Sequence, residues 1–188
     1  MNPSIVEMAA SPKWNHPGGK LLELGVDALI SDDLVAILIG AGIPGRSAPD
    51  IAKDIFDHYG GLWNMWRHQP TIEDLQKFKG LGKSKAERIL AAMKIGRIFY
   101  CEDIEKLRPE AAAADQAALL ACIIGSGVKG RSGRQIAQDL LNRYGAISGI
   151  CGHDMGDLEK IKGLDTVKIL RIVAAIDLAI RLQRAFHM

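Results

Sequence analysis

A chain of 188 residues, 48% apolar and 24% charged, has the composition of a folded protein with one or two modest cores rather than a disordered segment. Its formal net charge of +2 is too small to mark a nucleic-acid-binding protein by itself, so any basic surface must be local. The three cysteines show no paired metal-ligand spacing, no stretch approaches the ~20 apolar residues of a membrane span, and the N-terminus lacks a signal pattern; together these predict a reduced, cytoplasmic protein away from membranes.

The first predicted segment, residues 1–18, is a polar arm with Pro12, Pro17 and the start of a Gly18-Gly19 pair. A helical turn over 21–24 is stopped by Gly25. Ser31, Asp32 and Asp33 open a helix whose apolar face (Leu34, Ile37, Leu38) ends at Gly40. Ser47, followed three residues later by Asp50, caps a helix that carries Ile51, Ile55, His58 and Tyr59 and stops at Gly60-Gly61. A short helix over 63–67 follows, then one capped by Thr71, then a long one from Ser84 with Ile89, Ala92, Met93, Gly96 and Phe99 near one stripe. Residues 101–115 are charged and then alanine-rich, with Pro109 at or near a junction. Beyond it come a helix to Ile124, a helix over 132–144, a loop, a helix over 157–161 and a last one over 166–184. Almost no segment alternates with period two, so the predicted class is all-α.

The chain says nearly the same thing twice. LVAILIGAGIPGRSAPDIAKDIFDHYGG, from Leu34, is answered 85 positions later by LLACIIGSGVKGRSGRQIAQDLLNRYGA, from Leu119. Lys79-Gly80-Leu81 is answered by Lys162-Gly163-Leu164 at an offset of 83, two loop residues shorter. This divides the chain into the arm (1–18), a first helical repeat (19–107) and a second (108–188). Both repeats contain GxGxxG, but neither has the second strand and acidic residue of a dinucleotide site. They also contain GxxxxGRS, but arginine stands at the P-loop lysine and no magnesium-binding strand follows. Cys151-Gly152-His153 lacks a second ligand pair for zinc. No cofactor or metal is therefore expected. The turns themselves, with Arg46 and Ser47 in one and Arg131 and Ser132 in the other at helix N-termini, are candidate phosphate contacts or simply capped helix–helix turns.

LQKFKGLGKSKAERILAAMKIG (75–96) has the spacing of a helix–hairpin–helix: apolar, x, Gly, apolar, Gly, three residues, Ala, with Gly80 and Gly82 permitting the sharp hairpin. Outward N–H groups around Gly80, Gly82 and Ser84, ringed by Lys79, Lys83, Lys85 and Arg88, predict a grip on sugar–phosphate backbone that reads little sequence. From Glu73 to Arg97 seven basic residues face three acidic ones, a local +4. The second hairpin is degenerate. Asp165 replaces the second glycine and Thr166 replaces Lys83, but Lys168 and Arg171 remain, with Lys168 as the candidate contact.

SDDLVAILIGAGIPGRSAPDIAKDIFDHYGGL followed by FKGLGKSKAERILAAMKIGR resembles the N-terminal helical region of the bacterial RadC (UPF0758) family, historically labelled DNA-repair proteins. The resemblance covers about 19–100 and, more diverged, about 111–184. It implies two tandem repeats, each with a helix–hairpin–helix, that bind DNA. RadC-type proteins carry a further metalloprotease-like domain with a close histidine pair and a downstream Asp; His16, His58, His68, His153 and His187 form no such set. The weaker resemblance to DNA glycosylases supplies no acidic partner for Lys83. The expectation is a non-enzymatic protein that grips backbone phosphates of duplex or branched DNA, in repair or recombination. The alternative is a scaffold that dimerises or recruits a protein partner through the second repeat, with Trp63 and Trp66 as candidate contacts.

Overall fold

The computed structural model describes residues 16–100 and 109–186; Cys101, His187 and most of the arm and junction lie outside them. The described residues form eleven α-helices and no strand. They run α1 (Pro17–Leu24), α2 (Ser31–Ile39), α3 (Ala48–Tyr59), α4 (Leu62–His68), α5 (Ile72–Gln76), α6 (Lys83–Tyr100), α7 (Pro109–Ile124), α8 (Gly133–Tyr144), α9 (Ile147–Ile150), α10 (Met155–Glu159) and α11 (Thr166–Phe186). None is long and apolar enough to cross a membrane. The all-α reading is correct.

Two boundaries differ from the pattern reading. The end of the arm is helical, because Pro17 at the first helical position fixes a helical φ and His16 Nδ1 accepts from the Gly19 N–H at 3.0 Å. Lys20 then reaches Asp33 at 2.9 Å and ties α1 to α2. The segment read as a loop after Tyr144 contains α9, whose first N–H, from Ile147, is taken by Gln116 Oε1 at 2.9 Å. That cap lies 31 residues upstream, where no local pattern announces it.

Capping boxes set three further starts. Ser47–Asp50 opens α3, Thr71–Asp74 opens α5 and Ser132–Gln135 opens α8. The Lys77 ammonium, and then the Thr71 caps, hold the Asp74 carboxyl well below the usual range.

Packing follows a reciprocal scheme. α2 packs on α3 and α7 on α8; α6 lies against α7, while α11 lies against α2. The most extensive contact joins α6 to α11, so the two halves share one continuous core. Ile89, Ala92 and Ile95 of α6 and Ile172, Ala175, Leu178 and Ala179 of α11 are fully or almost fully buried in it. Gly96 marks the tightest approach: a Cβ there would stand 3.1 Å from Leu182 Cδ1 and 3.4 Å from the Ala179 Cα. Gln183 Nε2 donates to the Phe99 carbonyl at 2.9 Å nearby. A leucine at Gly96 overfills this crossing, and Gly96→Leu is expected to lower stability by about 1–3 kcal/mol in urea denaturation.

Candidate nucleic-acid interface

Each GxGxxGRS turn closes on itself. The Ile43 N–H donates to the Arg46 carbonyl and the Arg46 N–H to that of Ile43, both at 2.9 Å; Val128 and Arg131 do the same at the same distance. The middle glycine of each pattern is required by crowding, since a Cβ on Gly42 would overlap the Arg46 carbonyl oxygen and one on Gly127 that of Arg131.

The first hairpin sits on the first turn. Gly80 has φ +97°, and its missing side chain leaves room for Ile51 Cδ1 and Ile43. Arg46 locks the two together: one guanidinium nitrogen pairs with Asp54 and another donates to the Lys79 carbonyl at 3.0 Å. Arg131 repeats the clamp with Asp139 and the Lys162 carbonyl. Lys85 is a second staple, donating to the Ala41 carbonyl at 2.6 Å and to that of Gly80 at 3.0 Å. Burial, and then the Arg88 charge, pushes its pKa down. Arg88 caps the end of α2, donating to the Leu38 carbonyl at 2.5 Å. Burial, helped by the nearby Arg171 charge, pushes it down to about 10.

The hairpin residues that remain outward are Lys79, Gly82, Lys83 and Ser84, all exposed. Among the described residues, the N–H groups of Gly82, Lys83 and Ser84 have no acceptor within the chain. Gly82 has an ordinary φ, and a Cβ on it would meet nothing within 4 Å. It is not needed for the bend, contrary to the pattern reading; Gly80 alone supplies the positive φ. Gly82 keeps the approach to the α6 N-terminus open, and its carbonyl accepts the Lys85 and Ala86 N–H groups.

The second hairpin is closed by the chain itself. Asp165, at the position of Gly82, caps α11 by accepting the Lys168 N–H at 2.9 Å and holds the Lys168 ammonium at 2.8 Å. Burial acts to raise the Asp165 carboxyl, but the Lys168 hydrogen bonds and charge outweigh it and leave it below the usual range. Lys168 is only 6% exposed, so this ammonium is not an available phosphate contact and the expectation for it is corrected. Its equivalent, Lys85, lacks a carboxylate at the hairpin and therefore reaches across to the turn.

The turns differ in the opposite sense. At α3, Pro49 has no N–H and Asp50 places a carboxylate at the helix start, held low by its hydrogen bonds with Ser47. Neither suits an approaching phosphate. At α8 the corresponding residues are Arg134 and Gln135, preceded by Lys129 in place of Pro44, and the first turn carries no acid. Lys129 and Arg134 are exposed. The sequence reading missed both by weighing the residues the two copies share rather than those that differ. Ser47 and Ser132 are caps, with each Oγ accepting the N–H three residues on at 3.2 Å.

The tryptophans named for a partner surface are partly buried. Trp63 and Trp66 stack with ring centroids 5.4 Å apart, and the Arg97 guanidinium lies 5.2 Å from the Trp66 centroid.

The UPF0758 N-terminal family model matches residues 8–87 and 105–170. This chain belongs to the UPF0758 N-terminal family. A UPF0758 protein of Flavobacterium johnsoniae is 37% identical over 111 residues, covering 59% of this chain and 48% of the relative. One from Carboxydothermus hydrogenoformans is 35% identical over 89 residues, 47% of this chain and 38% of the relative. One from Chloroflexus aggregans is 34% identical over 115 residues, 61% and 49% respectively. The chain thus spans half or less of the length of these relatives. No solved structure matches it.

Two comparisons test the geometry. Gly80→Ala is expected to destabilise the protein by about 1–3 kcal/mol, through left-handed strain and the Ile51 contact. Gly82→Ala is expected to stay within about 0.5 kcal/mol of the parent. Arg46→Met and Arg131→Met are each expected to cost about 1–2 kcal/mol in thermal or urea unfolding without any ligand, because each removes a clamp between turn and hairpin.

Proposed function

We propose that this chain is a tandem pair of UPF0758 N-terminal units that binds DNA without catalysing a reaction, gripping backbone phosphates of duplex or branched DNA in repair or recombination. The family model's matching of two separate stretches, and the reciprocal packing of α6 on α7 and α11 on α2, support the duplication. The observation that carries the binding role is the α6 N-terminus. Its N–H groups at Gly82, Lys83 and Ser84 have no acceptor among the described residues, a Cβ on Gly82 would meet nothing within 4 Å, and Lys79 and Lys83 stand exposed beside them. Partial positive charge and unsatisfied donors together suit a phosphate oxygen and carry no information about base sequence.

In this reading Lys79, Gly82, Lys83 and Ser84 make the first contact, while Lys129 and Arg134 at the start of α8 make the second. Arg46, Arg131, Lys85 and Arg88 hold the surface in shape from behind. A second reading, recruitment of a protein partner or another copy through the second half, is favoured by one feature. There Asp165 covers the helix start, and Val128 and Val167 are exposed apolar side chains at 39% and 54%.

With about four phosphates neutralised, log K for duplex DNA is expected to fall with log salt at a slope near −3.6. Lys79→Glu/Lys83→Glu is expected to weaken duplex binding by roughly tenfold or more at low salt, and Lys129→Glu/Arg134→Glu by less. Fluorescence anisotropy with two unrelated duplexes measures both. An affinity insensitive to salt and to these charge reversals defeats the reading, whereas self-association in sedimentation without any DNA-dependent shift supports the partner reading.

A further inference from the structure

The offset of 83 that relates the two hairpins also pairs Arg88 of α6 with Arg171 of α11. The two arginines meet where the halves join. A Cβ on Gly40 would stand 3.2 Å from Arg171 Nη2 and 4.0 Å from Arg88 Nη1, and one on Gly125 would stand 4.0 Å from Arg171 Nη1. Both guanidiniums therefore lie beneath the ends of α2 and α7, at two positions where a side chain is missing. Each is partly buried.

Their bonding is unequal. Arg88 caps α2 through the Leu38 carbonyl. Arg171 makes no hydrogen bond and no ion pair among the described residues, and its Nε is buried without an acceptor. The carboxylate with a resolved effect on it is Asp165, which is already bonded to Lys168. Lys85, bonded to the Ala41 and Gly80 carbonyls, adds a third positive charge beside Arg88. Two half-buried like charges that face each other, one without an acceptor, are a costly arrangement for a protein to keep for packing alone. A planar guanidinium whose donors lack acceptors, lying beside two glycines, is suited to a tetrahedral oxyanion.

We infer that Arg88 and Arg171 form an anion site at the junction of the halves that takes a phosphate group beside Gly40 and Gly125. Its extension to a nucleic-acid phosphate rests on the function proposed above; the anion site itself does not. The site differs from the helix N-terminus at the first hairpin in being built from side chains of both halves.

The experiment uses the full chain, with inorganic pyrophosphate and a 12-base-pair duplex as separate probes, each at constant ionic strength set with chloride. Arg171→Met keeps an apolar stem and removes the charge. In chloride alone Arg171→Met is expected to melt at or above the parent's temperature, because the repulsion with Arg88 is relieved. Pyrophosphate is expected to raise the melting temperature of the parent, and its calorimetric Kd to weaken at least roughly tenfold in Arg171→Met, with Arg171→Lys between the two. No pyrophosphate response in the parent, or an equal response in Arg171→Met, overturns the site. So does a loss of stability in Arg171→Met that leaves the pyrophosphate response intact. Loss of duplex affinity in parallel with pyrophosphate identifies the anion as a backbone phosphate. Loss of pyrophosphate binding with unchanged duplex affinity supports the site and identifies a free phosphate compound as its ligand. Pyrophosphate binding by a parent that binds no duplex supports the site and removes the DNA reading alone.

Discussion

The close crossing of α6 and α11 governs the rest of this structure. Each helix packs on shorter ones in its own half and also against its counterpart in the other. Ile89, Ala92 and Ile95 on one side and Ile172, Ala175 and Ala179 on the other are buried, and the contact between the two long helices is the most extensive in the structure. Gly96 sets how near the helices come. That distance in turn brings α7 under α6, α2 under α11, and Arg88 to Arg171.

Within this frame the conspicuous cations divide into two groups. Arg46, Arg131, Lys85 and Arg88 hydrogen-bond backbone carbonyls of neighbouring turns and helix ends. Carbonyl groups at turns and helix C-termini lack partners of their own, and a long cationic side chain supplies them while covering apolar surface with its stem. Lys79, Lys83, Lys129 and Arg134 face outward instead. The local charge of +4 in the first hairpin region is therefore partly internal scaffolding. The two halves also divide the outward charge differently. The first keeps an open hairpin and a turn obstructed by Pro49 and Asp50, whereas the second closes its hairpin with Asp165 and opens its turn with Lys129 and Arg134.

Much of this was legible in the linear pattern. Ser47, Thr71 and Ser132 with an acid or amide three residues on announce helix starts, because the cap satisfies N–H groups that the helix cannot. Gly60-Gly61 and the glycine turns announce the stops. The helix at Pro17 was hidden by a Gly18-Gly19 pair, since its stability comes from His16, Asp33 and contact with Leu170 rather than from propensity. The reading of Gly82 as a bend residue failed because two glycines one apart look alike in sequence, while only φ and the neighbouring atoms separate a bend from an open approach. Lys168 failed for a similar reason: an ion pair three residues apart can lie on a surface or, as here, within the packed layer.

By itself the sequence determined the helical class, the two glycine turns and the family, since all of these rest on local spacing and identity. The tertiary structure decided which charges are available. Exposure of a lysine or arginine depends on what packs over it and which carbonyl lies within reach, and those partners come from residues 31 to 50 positions away or from the other half. For the same reason only the folded chain brings Arg88 and Arg171 together beside Gly40.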